Sequence, residues 1–171
     1  MSELQLTEGE TRALRGLPLP VDLSRVRIHR GAGGRVVRGV RALVLRCTGG
    51  RGIALGNDVF LPDDCGGSLP VLAHEVTHCG QYQAWGALRY YARGIADRLR
   101  ELRHRRGAGA SPYDYRSETL KPFEHYGMEQ QGQIVEDWFR GVALARELLT
   151  PEEGGPPTAR THSHRDRRSS P

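Results

Sequence analysis

The run His74-Glu75-Val76-Thr77-His78 constrains this 171-residue chain more than any other stretch. Placed on an α-helix, two histidines four residues apart lie on one face about one turn apart, where both imidazoles can reach a single metal ion. The flanking residues supply the helix. Ser68 with Pro70 just behind it suits a first turn, and the apolar residues that follow predict a helix running to about Ala84. With seven histidines in the chain, a chance pairing of this form with a neighbouring glutamate is expected only about 0.02 times. The pattern therefore predicts zinc held by His74 and His78. Glu75 stands beside them as a base, able to take a proton from water whose pKa zinc lowers to about 7.

Two histidines do not complete such a site, because catalytic zinc takes three protein ligands and keeps one open position. None of His29, His104, His125, His162 and His164 follows the His-x-x-Gly-x-x-His extension that supplies a third imidazole in some zinc enzymes. A carboxylate is the natural third ligand, and Glu129 is the first choice. It opens an amphipathic pattern (Ile134, Val135, Trp138, Val142, Ala145, Leu149) on the face away from the apolar stripe, beside small Gly132, which allows close approach to the first helix. Glu136 shares that face, and Glu124 and His125 just upstream remain competitors. Asp137 is a candidate to orient a ligand histidine. Tyr113, Tyr115, Tyr126 and His125 are candidates to stabilise an oxyanion. His162 and His164 sit in a tail whose composition gives them no geometry.

Around this motif the chain reads as one α+β domain. Residues 1–24 form an irregular or short helical lead, residues 25–150 a zincin-like domain, and residues 151–171, which lack large apolar side chains, a disordered tail. Val26, Ile28, Ala42–Leu45 and two strands around a Gly56-Asn57-Asp58 turn predict a small antiparallel sheet. Packed beside it are three helices: one carrying the histidines, an arginine-rich one over about 86–106, and a last one over about 129–149. A hydrophobic content of 37%, with 22 glycines and 10 prolines, implies a modest core and long loops.

Between Arg89 and Arg106 seven arginines face only Asp97 and Glu101, so this one segment carries a net +5, the formal charge of the whole chain. Leu88, Tyr91, Ile95, Leu99 and Leu102 recur at three- and four-residue spacing, which predicts that they face the core and that the arginines form the solvated side. No base-reading motif accompanies the charge, so a nucleic-acid partner ranks last. Three cysteines (Cys47, Cys65, Cys79) without a CxxC spacing support neither a disulfide framework nor a cysteine zinc site. An acidic N-terminal stretch and the lack of any run of about 20 apolar residues predict a soluble, cytoplasmically made protein with no membrane span, leaderless export remaining open.

Three segments also carry a family resemblance: Leu23-Ser-Arg-Val-Arg-Ile-His29, Ala54-Leu-Gly-Asn-Asp-Val-Phe-Leu61 and Leu72-Ala-His-Glu-Val-Thr-His-Cys-Gly-Gln81. They are similar to the zinc-peptidase core-domain family associated with bacterial extracellular contractile injection systems, and to related HExxH domains found beside polymorphic toxins. The resemblance implies a gluzincin-like site with His74, His78 and Glu129 on zinc and Glu75 as base. It implies a protein or peptide substrate and a contractile injection or toxin-delivery system as partner. Two functions follow as expectations, hydrolysis of a peptide bond or a non-catalytic zinc-stabilised module acting in export or toxin loading.

Overall fold

The computed structural model describes residues 5–30, 52–62 and 68–149. The expected strand at 42–45, the tail, Cys47, Cys65, His162 and His164 lie outside these residues.

Helix α1 (Glu8–Leu14) begins at a capping box: the Thr7 hydroxyl accepts from the Glu10 N–H, and the Glu10 carboxylate accepts from the Thr7 N–H. This helix sends Leu14, fully buried, into the same core as the sheet and the histidine helix. The lead then crosses that helix at Gly80, where a Cβ would lie 2.8 Å from Leu19 Cδ1 and 3.2 Å from the Pro20 carbonyl. Gln83 fastens the crossing, accepting from the Asp22 N–H and donating to Asn57 Oδ1, both at 2.8 Å.

Strands β1 (Arg27–His29), β2 (Ile53–Leu55) and β3 (Asp58–Phe60) form a three-stranded sheet in the order β1-β3-β2. As expected, β2 and β3 are an antiparallel hairpin, turning at Gly56, whose φ of 69° suits glycine. The sheet is nonetheless mixed, because β1 pairs with β3 in parallel, Ile28 opposite Val59. A parallel partner needs a connection of about a dozen residues or more, and the chain between β1 and β2 is long enough to supply it. Ile28 and Val59 are both fully buried.

Helix α2 (Leu69–Trp85) starts where Pro70 predicts, although the Ser68 side chain makes no capping hydrogen bond. Every residue from Leu72 to Gln81 is buried, so this helix is enclosed on all sides. Gly86, at φ 76°, turns the chain into α3 (Ala87–Arg105). A segment rich in turns then leads to α4 (Met128–Phe139) and α5 (Ala143–Leu149). Tyr115, Tyr126, Ile134 and Ala145 make a second, smaller core there.

Two further expectations need correction. The helix foreseen over 129–149 is two, because Gly141 (φ 81°) donates to the Trp138 carbonyl and Val142 to the Asp137 carbonyl, closing α4 with a Schellman turn. On α3 the orientation is reversed. Tyr90, Asp97 and Glu101 are the buried residues, and the apolar stripe from Leu88 to Leu102 faces out. Periodicity identified a stripe, but it does not say which stripe the domain covers.

The Schellman turn gives a paired test. Gly141→Ala should destabilise the protein by about 1–2 kcal/mol, since the methyl is strained at positive φ. Gly9→Ala, in an open position of α1, should be neutral or stabilising by up to about 1 kcal/mol. Urea denaturation of both variants measures the contrast, and equal effects would show that the α4–α5 break does not need glycine.

Candidate metal centre

A helix as buried as α2 that carries His74, Glu75, Thr77, His78 and Gln81 must find partners for each polar group. Most come from α4. Gln81 Nε2 donates to the Met128 carbonyl at 3.1 Å and to Gln131 Oε1 at 2.9 Å, which leaves Gln81 Oε1 to accept from His78 Nδ1–H at 2.7 Å. Gln131 in turn donates to the carbonyls of Phe123 and Tyr126, tying the preceding segment to the same chain of amides. His74 Nδ1–H donates to Glu136 Oε2 at 3.0 Å. With both Nδ1 atoms engaged, the two Nε2 atoms are the ones left to meet a ligand.

Both Nε2 atoms converge on Glu129, whose Oε2 lies 3.6 Å from that of His74 and 3.5 Å from that of His78. These separations exceed a normal hydrogen bond. They approach the roughly 3.3–3.5 Å edge of a tetrahedron whose ligands sit about 2.0–2.2 Å from its centre. The three donor atoms lie within 4.8 Å of one another, a group able to hold a metal ion. Gly132 makes the approach possible, because a Cβ there would fall 2.8 Å from His74 Nε2.

Glu75 occupies the remaining side of the pocket. Its Oε2 is buried with no hydrogen-bond partner among the described residues, and the chain entering β2 passes close enough that a Cβ on Gly52 would lie 2.8 Å from its Oε1. A buried carboxylate oxygen left unpaired is costly, and a water held over the three donors would satisfy it. Two imidazoles, a carboxylate and this orphaned oxygen fit a catalytic-type zinc set.

The electrostatics are those of a carboxylate-rich pocket around two imidazoles. Burial alone would lower the His74 pKa, but the carboxylates of Glu129 and Glu136 outweigh it and raise it to about 10. His78 is raised for the same reason, chiefly by Glu129. Burial raises Glu75, whereas the histidines hold Glu129 and Glu136 below the usual range against the opposing effect of burial.

A cleft of about 740 Å³ opens over these groups, walled by the β2 backbone, by Tyr90, Tyr91 and Ile95 of α3, and by Tyr113. Of the oxyanion candidates only Tyr113 lines it, with its ring 6.4 Å from that of His74. Tyr115 is turned away, donating to Asp137 Oδ2 at 2.7 Å, and Tyr126 packs edge-on against Tyr115. Glu124 and His125 are exposed on a single 3-10 turn and do not reach the pocket. Asp137 does not orient a histidine. It takes hydrogen bonds from Tyr115, Arg116 and Gln133, and Glu136 supplies the orienting carboxylate instead, because the His74 ring faces that side of α4.

Gln81 and Gly52 had no sequence signal that distinguished them from other helix and strand positions. His29 lies elsewhere, stacked on Phe60 and paired with Asp58, and His104 contacts the Gly109 carbonyl. Cys79 is buried in the core and its thiol pKa is pushed upward by burial, which makes it inert.

These positions predict an order of metal loss. Replacing His74, His78 or Glu129 with Ala should abolish stoichiometric zinc, Glu136→Gln should weaken it about 10–100-fold, and Glu124→Ala should change nothing. Asp137→Ala should retain zinc but cost about 1–3 kcal/mol by stranding the Tyr115 hydroxyl. Metal analysis with chemical denaturation separates the two, and full zinc in Glu129→Ala would reassign the third ligand.

A pH dependence follows as well. Groups whose pKa is raised on folding stabilise fully below their unfolded value and lose that contribution as pH climbs through the folded one. For His74 the window runs from 6.5 to about 10, and His78 and Glu75 act in the same direction. The melting temperature of metal-free protein should therefore fall as pH rises from 6.5 toward 10, while zinc-loaded protein, its histidines already deprotonated, should change less. Parallel alkaline profiles with and without zinc would contradict this pocket.

The curated proteins and the solved structures give no match. The family model described as the eCIS core domain matches residues 8–86, from the start of α1 to the glycine that ends α2, and so includes His74, Glu75 and His78 but stops short of Glu129. The match supports an association of this chain with extracellular contractile injection systems.

Proposed function

We propose that this chain is a zinc-dependent peptidase working in the setting of a contractile injection system. His74, His78 and Glu129 hold the metal, and Glu75 is the general base. Bound there, zinc supplies a Lewis acid that acidifies water and polarises a carbonyl. The single observation that carries the reading is Glu75: a buried carboxylate with one oxygen unpaired, beside three converging donors, at the floor of an open cleft.

A metal that only joined α2 to α4 would gain nothing from an orphaned acid next to it, and the cost of burying that oxygen unpaired supports a chemical role. Burial raises the Glu75 pKa, bringing it nearer the range where a carboxylate both accepts and returns a proton. Glu136 and Gln81 keep the imidazoles aimed. Tyr113, which lines the cleft with its ring 6.4 Å from that of His74, is the residue to which we assign contact with the carbonyl oxygen of an extended substrate.

The deciding experiment is Glu75→Gln. This variant should bind zinc and melt like the wild type, yet lose about 10²–10⁴-fold in hydrolysis of a peptide library, because an amide cannot take the proton. Equal cleavage by both proteins would remove Glu75 from the chemistry. A wild type that holds stoichiometric zinc and cleaves nothing would instead make the chain a zinc-stabilised module for export or toxin loading.

A further inference from the structure

Tyr90, Gly94, Asp97 and Glu101 follow one another at four- and three-residue spacing along the face of α3 that turns toward the domain, and all four line the cleft. Tyr90 donates to the Ala54 carbonyl of β2 at 2.8 Å, and Asp97 faces the Glu129 N–H at the start of α4. The helix therefore meets one neighbour before Gly94 and another after it. Between the two contacts it presents no side chain.

Glycine is among the least favourable residues inside a helix, so its presence there calls for a reason. The backbone does not supply one, because Gly94 is not among the glycines with positive φ. Packing does not supply one either. A Cβ at Gly94 would meet the Met128 methyl at 3.9 Å, an ordinary contact, whereas at Gly52, Gly80 and Gly132 it would fall 2.8 Å from a neighbour. What glycine preserves at position 94 is open space, a notch in the cleft wall beside the residue that precedes Glu129.

The surroundings of the notch are apolar. Leu55, Tyr91 and Ile95 line the same cleft and are 37%, 43% and 63% exposed, with Met128 facing Gly94 from α4. The acids of α3 are already matched, Asp97 by Arg100 and Glu101 by Arg98 and Arg105, so a basic side chain entering here would have to displace an arginine. We infer that the notch at Gly94 is a specificity subsite for a large apolar side chain, phenylalanine or leucine, of a peptide held over His74, His78 and Glu129. The inference rests on the peptidase reading above and adds its substrate class.

The test measures binding apart from cleavage. Short synthetic peptides identical except for a central Phe, Ala or Lys are titrated by fluorescence anisotropy into the zinc-loaded Glu75→Gln chain, and the same peptides are offered to the wild type for cleavage. The Phe peptide should bind about tenfold tighter than the Ala or Lys peptide, from the apolar surface it buries. Adding Gly94→Leu should fill the notch and bring the Phe peptide down to the affinity of the Ala peptide. Gly94→Ala, whose methyl has room, should reduce the preference by about threefold. Both should keep zinc and melt no lower than the parent, since they remove a glycine from a helix, so a loss of preference would not report a damaged fold. Equal binding of the three peptides, tightest binding of the Lys peptide, or a Phe preference that Gly94→Ala and Gly94→Leu leave unchanged would overturn the subsite. A wild type that cleaves none of the peptides while the Phe preference and its loss in Gly94→Leu persist would sink the peptidase reading and leave the subsite standing. Cleavage beside Phe, Ala and Lys alike would do the reverse.

Discussion

The packing of α2 against α4 through polar groups is the interaction on which the rest of the structure depends. A helix buried on every side needs partners for its imidazole and amide groups, because each stranded polar atom costs about 1–3 kcal/mol. Glu136 and Gln131 answer His74 and Gln81 from the facing helix, and Gln81 passes the constraint to His78. The same bonds that make burial tolerable also fix the rotation of both rings. Rigidity of the site and stability of the fold are thus one property here, carried by a chain of amides and a carboxylate.

Glycine has a specific part in that packing. At position 132 the lack of a side chain lets α4 lie against the His74 ring, and at position 52 it lets the chain entering β2 lie against Glu75. At position 80 it admits the lead across the back of α2. The pocket around the histidines is consequently walled by backbone on two sides, where side chains would have filled the space. The open side is left to the cleft, and there the aromatic rings of α3 and Tyr113 meet it.

Helix α3 has two separate relations to its surroundings. Toward the domain it gives Tyr90, which donates to the Ala54 carbonyl at 2.8 Å, and the buried Asp97 and Glu101, whose partners Arg100, Arg98 and Arg105 lie on the same helix. Toward solvent it gives a row of aliphatic residues edged with arginine. Inward-facing acids matched by arginines of their own helix allow the helix to attach to the domain by its polar side. That arrangement leaves the apolar side exposed, with Tyr91 and Ile95 of that side also walling the cleft.

The sequence by itself determined the local parts of this protein. The i, i+4 spacing of His74 and His78 defined a helix face that presents two imidazoles together, Pro70 marked where that helix starts, and the glycine at 56 marked the hairpin turn. The meeting of Glu129 with the two histidines was reachable too, since a third donor was sought and the pattern of the last helices left few acids on the free face. Each of these is a short-range property, written in residue type and spacing. Tertiary structure decided what depends on neighbours distant in the chain. It chose Glu136 over Asp137 to orient His74, because one position along a helix turns a side chain by about 100°. It paired β1 in parallel, turned the stripe of α3 outward, and left Glu75 with an unpaired oxygen. Periodicity reports that a face exists, and only the packed molecule reports what covers it.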